Sequence, residues 1–380
     1  MPPIAKMSNR LLTMAFLAAL CIPALGMVLG IGTNTAPWFV ANTPFPGRPR
    51  SLFGLIELPN KFRRYMNVHF AFRVPLMEIY AQLKVKLFGV SSSDTVVLGK
   101  DGWLFYTGES LAEDYRCNRP FTEEELARWT RRLVARRDWL KAHGIPYVFV
   151  VAPNPGTIYP ENLPESLHRL GPTSRFEQLT AYLAAHSDFR PVDVRAALTD
   201  GKKRARLYYK TDTHWNQMGA FIAYEQMSAR LAGVLPAWKT RTLGDFDEVP
   251  TADWAGDLSY MLGAPSIFRE TRVDLTPRGG TDVLANGVPL SMNESPEAWY
   301  MRPVSIRESP TGEISRAVVL RDSYFAAPAQ FLSSHFRRMV MLWTHDFDPK
   351  VIDRERPDVV IEEIVERGLM APLADDPPLP

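Results

Sequence analysis

The longest apolar stretch of the chain runs from Leu11 to Gly32 without a charged side chain, and Lys6 and Arg10 stand just before it. About 20 such residues cross a bilayer as a helix. The next positive residue is Arg48, an asymmetry that predicts an inner-membrane anchor at 1–34 with everything after it outside the cytoplasm. Ala24-Leu-Gly26 resembles a small-residue cleavage site, so a cleaved signal and a soluble periplasmic protein form the alternative. Both readings export the body of the protein. Residues 35–95 read as a linker and a helical stalk. The stretch 33–59 is rich in Pro, Gly, Asn and Phe, and from Asn60 to Phe88 apolar residues such as Phe62, Tyr65, Met66, Ile79 and Leu83 recur at helical spacing.

After residue 95 the pattern changes to short apolar runs separated by helical periods. Val96 to Tyr106 reads as a hairpin, with apolar runs flanking Gly99-Lys-Asp-Gly102. Thr122 opens a helix to about His143, Glu125 completes a capping box and Gly144 stops it. Tyr147 to Ala152 is continuously apolar, as in a parallel strand covered on both faces. A helix at 173–185, a strand at 191–194 and a helix at 217–231 follow, the last with Asn216 as its N-cap. Later strands at 317–320, 339–343 and 359–364 alternate with helices at 327–336 and 349–353. Such alternation predicts an α/β domain at 96–370, a parallel sheet flanked by helices. In such sheets sites form outside the carboxyl ends of the strands, and Asp212, His214 and Ser323 all follow strand-like runs. Residues 235–316 break the rhythm with many Pro and Gly and with isolated aromatics (Trp238, Trp254, Tyr260, Trp299, Tyr300), and read as a β or irregular insertion. Residues 371–380 read as a disordered tail.

Composition narrows the field only a little. A chain of 380 residues is long enough for one large domain with an appendage, and its 32 prolines fit many loops. A net charge of +2 without a run of Lys or Arg gives no reason to expect nucleic-acid binding. Cys21 and Cys117 are too few for a disulfide scaffold or a cysteine zinc site.

Chemistry concentrates in two segments. Tyr208-Tyr-Lys-Thr-Asp-Thr-His-Trp-Asn216 holds an acid two positions from a histidine, and Leu320-Arg-Asp-Ser-Tyr-Phe325 places a serine where a strand turns into a helix. Asp212 would orient the His214 imidazole, His214 would take the Ser323 proton, and the hydroxyl would become a nucleophile. Backbone N–H groups at the start of the following helix would face the developing oxyanion. Taken alone, an Asp-x-His triplet is more often a surface or capping pair, and Ser after Asp is a common turn choice; their combination carries the reading. Metal binding by Asp212 and His214 finds no second His or Cys nearby. No cofactor is expected. Trp215 and Tyr324, beside the triad, and Trp103 and Trp254 either stack on sugar rings or belong to the core. Arg316, Arg321, Arg337 and Arg338 either attract an anionic glycan or form a solvated face.

Several segments together resemble the periplasmic alginate O-acetyltransferases of the AlgJ/AlgX type, whose catalytic domain is SGNH-hydrolase-like. They are Gly99-Lys-Asp-Gly-Trp-Leu-Phe105, Ala152-Pro-Asn154 with Ile158-Tyr-Pro-Glu161, Lys210-Thr-Asp-Thr-His-Trp-Asn216 with Gly219, Arg321-Asp-Ser-Tyr-Phe325, and the closing Pro357-Asp-Val-Val-Ile361 and Glu363-Ile-Val-Glu-Arg367. Carried over by position, the resemblance makes Ser323 the nucleophile, His214 the base and Asp212 its partner, with the acid–histidine segment ahead of the serine as in that family. Asn154 becomes a side-chain candidate for binding the substrate oxygen. Where family members often carry Lys, this chain has Pro155, which bears on substrate contact and leaves the triad intact. The resemblance implies a membrane-anchored enzyme that acetylates an exopolysaccharide through a serine acyl-enzyme, with an integral-membrane acyltransferase as the acetyl donor. A polysaccharide O-acetylesterase with the same triad, and a non-catalytic glycan-binding or assembly protein, are the alternatives.

Overall fold

A computed structural model describes residues 3–31, 43–285, 288–289 and 304–373, and the chain divides into two units, Met1–Ser92 and Ser93–Pro380. The first unit is helical. Helix Pro3–Leu29 contains Arg10–Leu29, a stretch long and apolar enough to cross a membrane. Two further helices, Leu52–His69 and Arg73–Phe88, replace the single helix expected from Asn60. Ser51 starts the first of them inside the expected linker, its hydroxyl accepting from the Gly54 N–H at 3.0 Å. Phe72 breaks the pair with a left-handed φ of 60°, which apolar spacing alone does not reveal. Residues 33–42 of the linker, 286–287 and 290–303 of the expected insertion and 374–380 of the expected tail lie outside the described residues.

In the second unit the strands are β1 (Val96–Leu98), β2 (Leu104–Tyr106), β3 (Tyr147–Ala152), β4 (Val192–Asp193), β5 (Phe246–Trp254), β6 (Glu270–Pro277), β7 (Leu284–Ala285), β8 (Val288–Pro289), β9 (Val304–Glu308), β10 (Ile314–Arg321), β11 (Phe336–Trp343) and β12 (Val359–Val365). The main sheet runs β4-β3-β12-β10-β11-β9-β7-β8. Its first five strands are parallel, as the alternation predicts, and β9, β7 and β8 add an antiparallel edge. Part of the expected insertion therefore belongs to the sheet, while β5 and β6 form a separate two-stranded antiparallel sheet and β1 pairs with β2 as anticipated.

Period-two alternation sends each strand's side chains to two cores. Val148, Val150, Val319, Ile361 and Met341 face one of them, packed under helix Gln217–Ala232 and helix Ala326–Leu332. Phe149, Val151, Val318, Leu320 and Val360 face the other, under helix Glu123–Ala142 and helix Arg175–His186. Both helices on that second face begin with capping boxes, Thr122 with Glu125 and Ser174 with Glu177. Asn216 caps helix Gln217–Ala232 through the Gly219 N–H at 2.9 Å, so the residues just before Asn216 are fixed against a rigid element.

One ion pair crosses the second core. Arg136 and Glu362 are 0% and 1% exposed and meet at 2.5 Å, with the Tyr147 hydroxyl also donating to Glu362. Burial works against the Glu362 carboxylate, but Arg136 and then His345 outweigh it and hold the carboxyl below its usual range.

Candidate active site

Ser323 stands where β10 ends, on the first residue of a 3-10 turn Ser323–Phe325. The turn is tied down by Asp322. One carboxylate oxygen accepts the Tyr324 N–H at 2.9 Å and the other accepts the Val365 N–H from the end of β12 at 2.6 Å. Because β12 and β10 run parallel in register, with Leu320 opposite Glu362, this tie fixes the serine to the centre of the sheet. As the first residue of its turn, Ser323 has no earlier turn of helix to accept its N–H, the disposition an oxyanion donor needs.

Asp212 and His214 are not at a strand end of the main sheet, contrary to the sequence expectation. They lie in a loop closed by an antiparallel bridge between Tyr208 and Trp215, with the Asn216 N–H donating to the Leu207 carbonyl at 2.9 Å. The loop nevertheless reaches the serine. His214 Nε2 lies 2.9 Å from Ser323 Oγ, and His214 Nδ1 lies 2.8 Å from Asp212 Oδ1. Asp212 is 9% exposed and its oxygens also accept the backbone N–H groups of His214 and Asp257, each at 3.0 Å. A carboxylate so held orients the imidazole with Nδ1 as donor and leaves Nε2 to accept from the serine.

A second carboxylate stands beside the pair. Asp257 opens helix Asp257–Leu262, accepts the Thr213 N–H at 2.8 Å and hydroxyl at 2.7 Å, and brings Oδ2 to 4.0 Å from His214 Nδ1. Gly256 makes this approach feasible. A Cβ there would strike the Thr211 carbonyl oxygen and come within 2.6 Å of the Asp212 Cβ, so the two segments touch backbone to backbone. Burial disfavours a charged His214, but the Asp212 hydrogen bond and charge, followed by the Asp257 charge, outweigh it and raise its pKa above the ordinary histidine value. Burial and then the neighbouring Asp212 push the Asp257 carboxyl up to about 6. Burial also opposes the Asp212 carboxylate, and hydrogen bonding to His214 overcomes that and holds its pKa below the ordinary range.

Asp212, His214 and Asp257 also offer three metal-ligand atoms within 4.8 Å of one another. Their lone pairs are engaged by the Thr213, His214 and Asp257 N–H groups and by the imidazole itself. That donor set fits a hydrogen-bonded proton relay.

The other residues singled out from sequence serve the frame. Trp215 is 1% exposed and its indole N–H donates to the Tyr324 carbonyl at 3.0 Å; Tyr324 is fully buried and its hydroxyl donates to the Thr213 carbonyl. Neither offers a face for a sugar ring, and together they strut the histidine loop against the serine turn. Trp103, 3% exposed, is core as well. Asn154 is fully buried, and one of its two side-chain N–H groups donates to Asp114 at 2.8 Å. Arg321 is fully buried, Arg338 pairs with Glu308 and Glu355, Arg316 donates to the Glu355 carbonyl, and Arg337 donates to the Gly312 carbonyl, so these arginines hold the sheet. Sequence reasoning missed Asp257. It lies 45 residues from Asp212 in the irregular region, and the only local signal was Gly256 before an acid that starts an apolar helix turn.

Known proteins fit this picture. The chain is 31% identical over 219 residues to "Probable alginate O-acetylase AlgJ" of Pseudomonas syringae pv. tomato, covering 56% of this chain and 53% of that protein. It is 26% identical over 189 residues to "Alginate biosynthesis protein AlgX" of Pseudomonas aeruginosa, covering 47% of this chain and 35% of that protein. The chain thus spans about half the length of the AlgJ relatives it matches. The solved structure of Bacillus cereus PatB1 superposes with a TM-score of 0.54 at 18% identity, over 72% of this chain and 96% of that one, which establishes a shared α/β fold. The family described as "SGNH hydrolase-like domain, acetyltransferase AlgX" matches residues 96–286, which contain Asp212, His214 and Asp257 and stop short of Ser323. That span is half of the 380 residues, and the chain belongs to this SGNH hydrolase-like acetyltransferase family.

Proposed function

We propose that this protein is an exported, membrane-anchored O-acetyltransferase that acetylates hydroxyls of an alginate-like exopolysaccharide through an acyl-enzyme on Ser323. The observation that carries the reading is the 2.9 Å contact between His214 Nε2 and Ser323 Oγ, made across 109 residues and backed by Asp212. Ser323 Oγ attacks the acetyl carbonyl carbon as Nε2 takes the hydroxyl proton; the leaving group then receives that proton and departs. A sugar hydroxyl next gives its proton to Nε2 and attacks the acyl-enzyme, and the imidazolium returns the proton to Ser323. Asp212 and Asp257 steady the imidazolium in both steps. The relatives named as alginate O-acetylases support a uronate glycan as acceptor, and the apolar helix Pro3–Leu29 supports anchoring beside an integral-membrane acyltransferase that hands over acetyl. Incubation of the purified full chain with an activated acetyl ester and alginate oligomers should yield acetylated sugar in excess of free acetate. Acetate alone, with sugar unmodified, would establish an esterase instead.

Asp257 gives a separate readout. A negative charge 4.0 Å from Nδ1 favours the protonated imidazole, so Asp257→Asn should lower the pH at which His214 becomes a base. The acid limb of kcat/KM for ester turnover should then move to lower pH, while Asn still accepts the Thr213 N–H. An unmoved limb would reduce Asp257 to a structural cap.

A further inference from the structure

Helix Arg73–Phe88 is mostly apolar, interrupted by Arg73, Glu78, Gln82, Lys84 and Lys86, a composition that calls for cover by a core or by lipid. Only Ala81 of this helix is buried, at 1% exposure. Leu76, Ile79, Tyr80, Leu83 and Leu87 recur at helical spacing to form one stripe, and each is between 48% and 68% exposed. Leaving such a stripe in water forgoes about 1.5–3 kcal/mol for each large side chain that burial would gain, so the native setting of this helix supplies a cover. The neighbouring helix Leu52–His69 buries no residue and exposes Leu52, Phe53, Leu55 and Ile56 at 55% or more.

The surroundings of the stripe indicate what the cover is. Residues 48–88 carry eight Lys or Arg against two Glu. Lys84 holds its ammonium 5.2 Å from the Tyr80 ring, and Lys84, Lys86 and Arg73 border the stripe on the helical wheel. Long cationic side chains flanking an apolar stripe place their stems on acyl chains and their charges among anionic headgroups. Position agrees. A Cβ built at Gly26, in the last turn of the span helix, would meet the Ala71 Cβ at 2.7 Å, so the junction between the two helices abuts the end of the membrane span. If Arg10–Leu29 spans a bilayer, the helices leave from near its surface.

We propose that the Leu76–Leu87 stripe lies in the interface of an anionic bilayer, held there by Arg73, Lys84 and Lys86, so that the segment is a surface-lying platform. The proposal rests on the membrane-span reading of helix Pro3–Leu29. The test uses the full chain with Cys21→Ala and Cys117→Ser, carrying one fluorescent cysteine label at a time, reconstituted in vesicles of phosphatidylcholine with or without phosphatidylglycerol. Leu17→Cys reports the span, Ile79→Cys and Leu83→Cys the stripe, and Lys61→Cys the polar side of the neighbouring helix. With phosphatidylglycerol present, spin-labelled lipid should quench the Ile79 and Leu83 labels at least about threefold more than the Lys61 label, and aqueous iodide should do the reverse. Arg73→Gln with Lys84→Gln and Lys86→Gln should return the stripe labels to their phosphatidylcholine level without moving the Leu17 label. Stripe labels as open to iodide as Lys61, or shielded from both quenchers as beneath a protein surface, would overturn the proposal. Equal quenching in both lipid mixtures would overturn it as well, because the anionic contact would then hold nothing. Loss of lipid quenching at Leu17 would instead mark failure of the span reading.

Discussion

Ser323→Ala should lower turnover of an activated acetyl ester by about a thousandfold or more, roughly 4 kcal/mol of transition-state stabilisation. The expectation follows from where the hydroxyl sits. The structure brings it to His214 Nε2 at 2.9 Å, where the imidazole can take its proton in the first step. Removing it should cost little stability, since one part-buried hydrogen bond contributes about 1 kcal/mol. The decisive comparison is with His214→Ala and with the double variant. Residues acting as one unit lose their effect together, so the double variant should be about as slow as either single variant. Additive losses would separate the two residues, and undiminished turnover in Ser323→Ala would remove the enzyme reading altogether.

Arg136→Met should destabilise the catalytic unit by about 3–5 kcal/mol, because it strands the buried Glu362 carboxylate. Glu362 is 1% exposed and is bonded by Arg136 and Tyr147 in a layer that water does not reach. Adding Glu362→Leu should recover most of the loss, since two apolar side chains leave no uncompensated charge. The effect also has a pH signature. The Glu362 carboxyl is held below its usual value, so the pair's contribution is fully present above the unfolded carboxylate pKa of about 4.3 and fades as pH falls through the folded value. Thermal unfolding from neutral pH downward should show wild type converging on Arg136→Met at low pH. Parallel curves would mean that the ion pair is not what the substitution removed.

What the residues disclosed beforehand follows the range of the interactions. The capping box at Thr122 is written within four residues, and its helix starts directly after that cap; the box at Ser174 is equally local but does not enter the reading of 173–185 as a helix. The β3, β10 and β12 strands were legible as apolar runs because both faces are covered. The acid, histidine and serine were legible because each lies in a short segment of distinctive composition. Asp257 was not, because its meaning depends on the Thr211–Asp212 backbone passing next to Gly256. The helix break at Phe72 depends on a left-handed backbone that a phenylalanine rarely adopts, and nothing in its neighbours' polarity announces it. Val304–Glu308 joined the sheet against the expected insertion for a similar reason: its pairing with β11 is a tertiary choice. Trp215 and Tyr324 adjoin His214 and Ser323 in sequence, yet only three-dimensional packing shows that they face inward.

The position of β12 has a consequence for biogenesis. It follows every other strand described here in sequence, yet it lies between β3 and β10 and supplies the N–H that anchors Asp322 beside the nucleophile. During synthesis the serine segment emerges before the strand that must slot into the middle of the sheet. Sheet closure through such a distant pairing is slow to nucleate. If Ser323 is the nucleophile as proposed, it should therefore reach its full activation only after residues 359–365 have inserted.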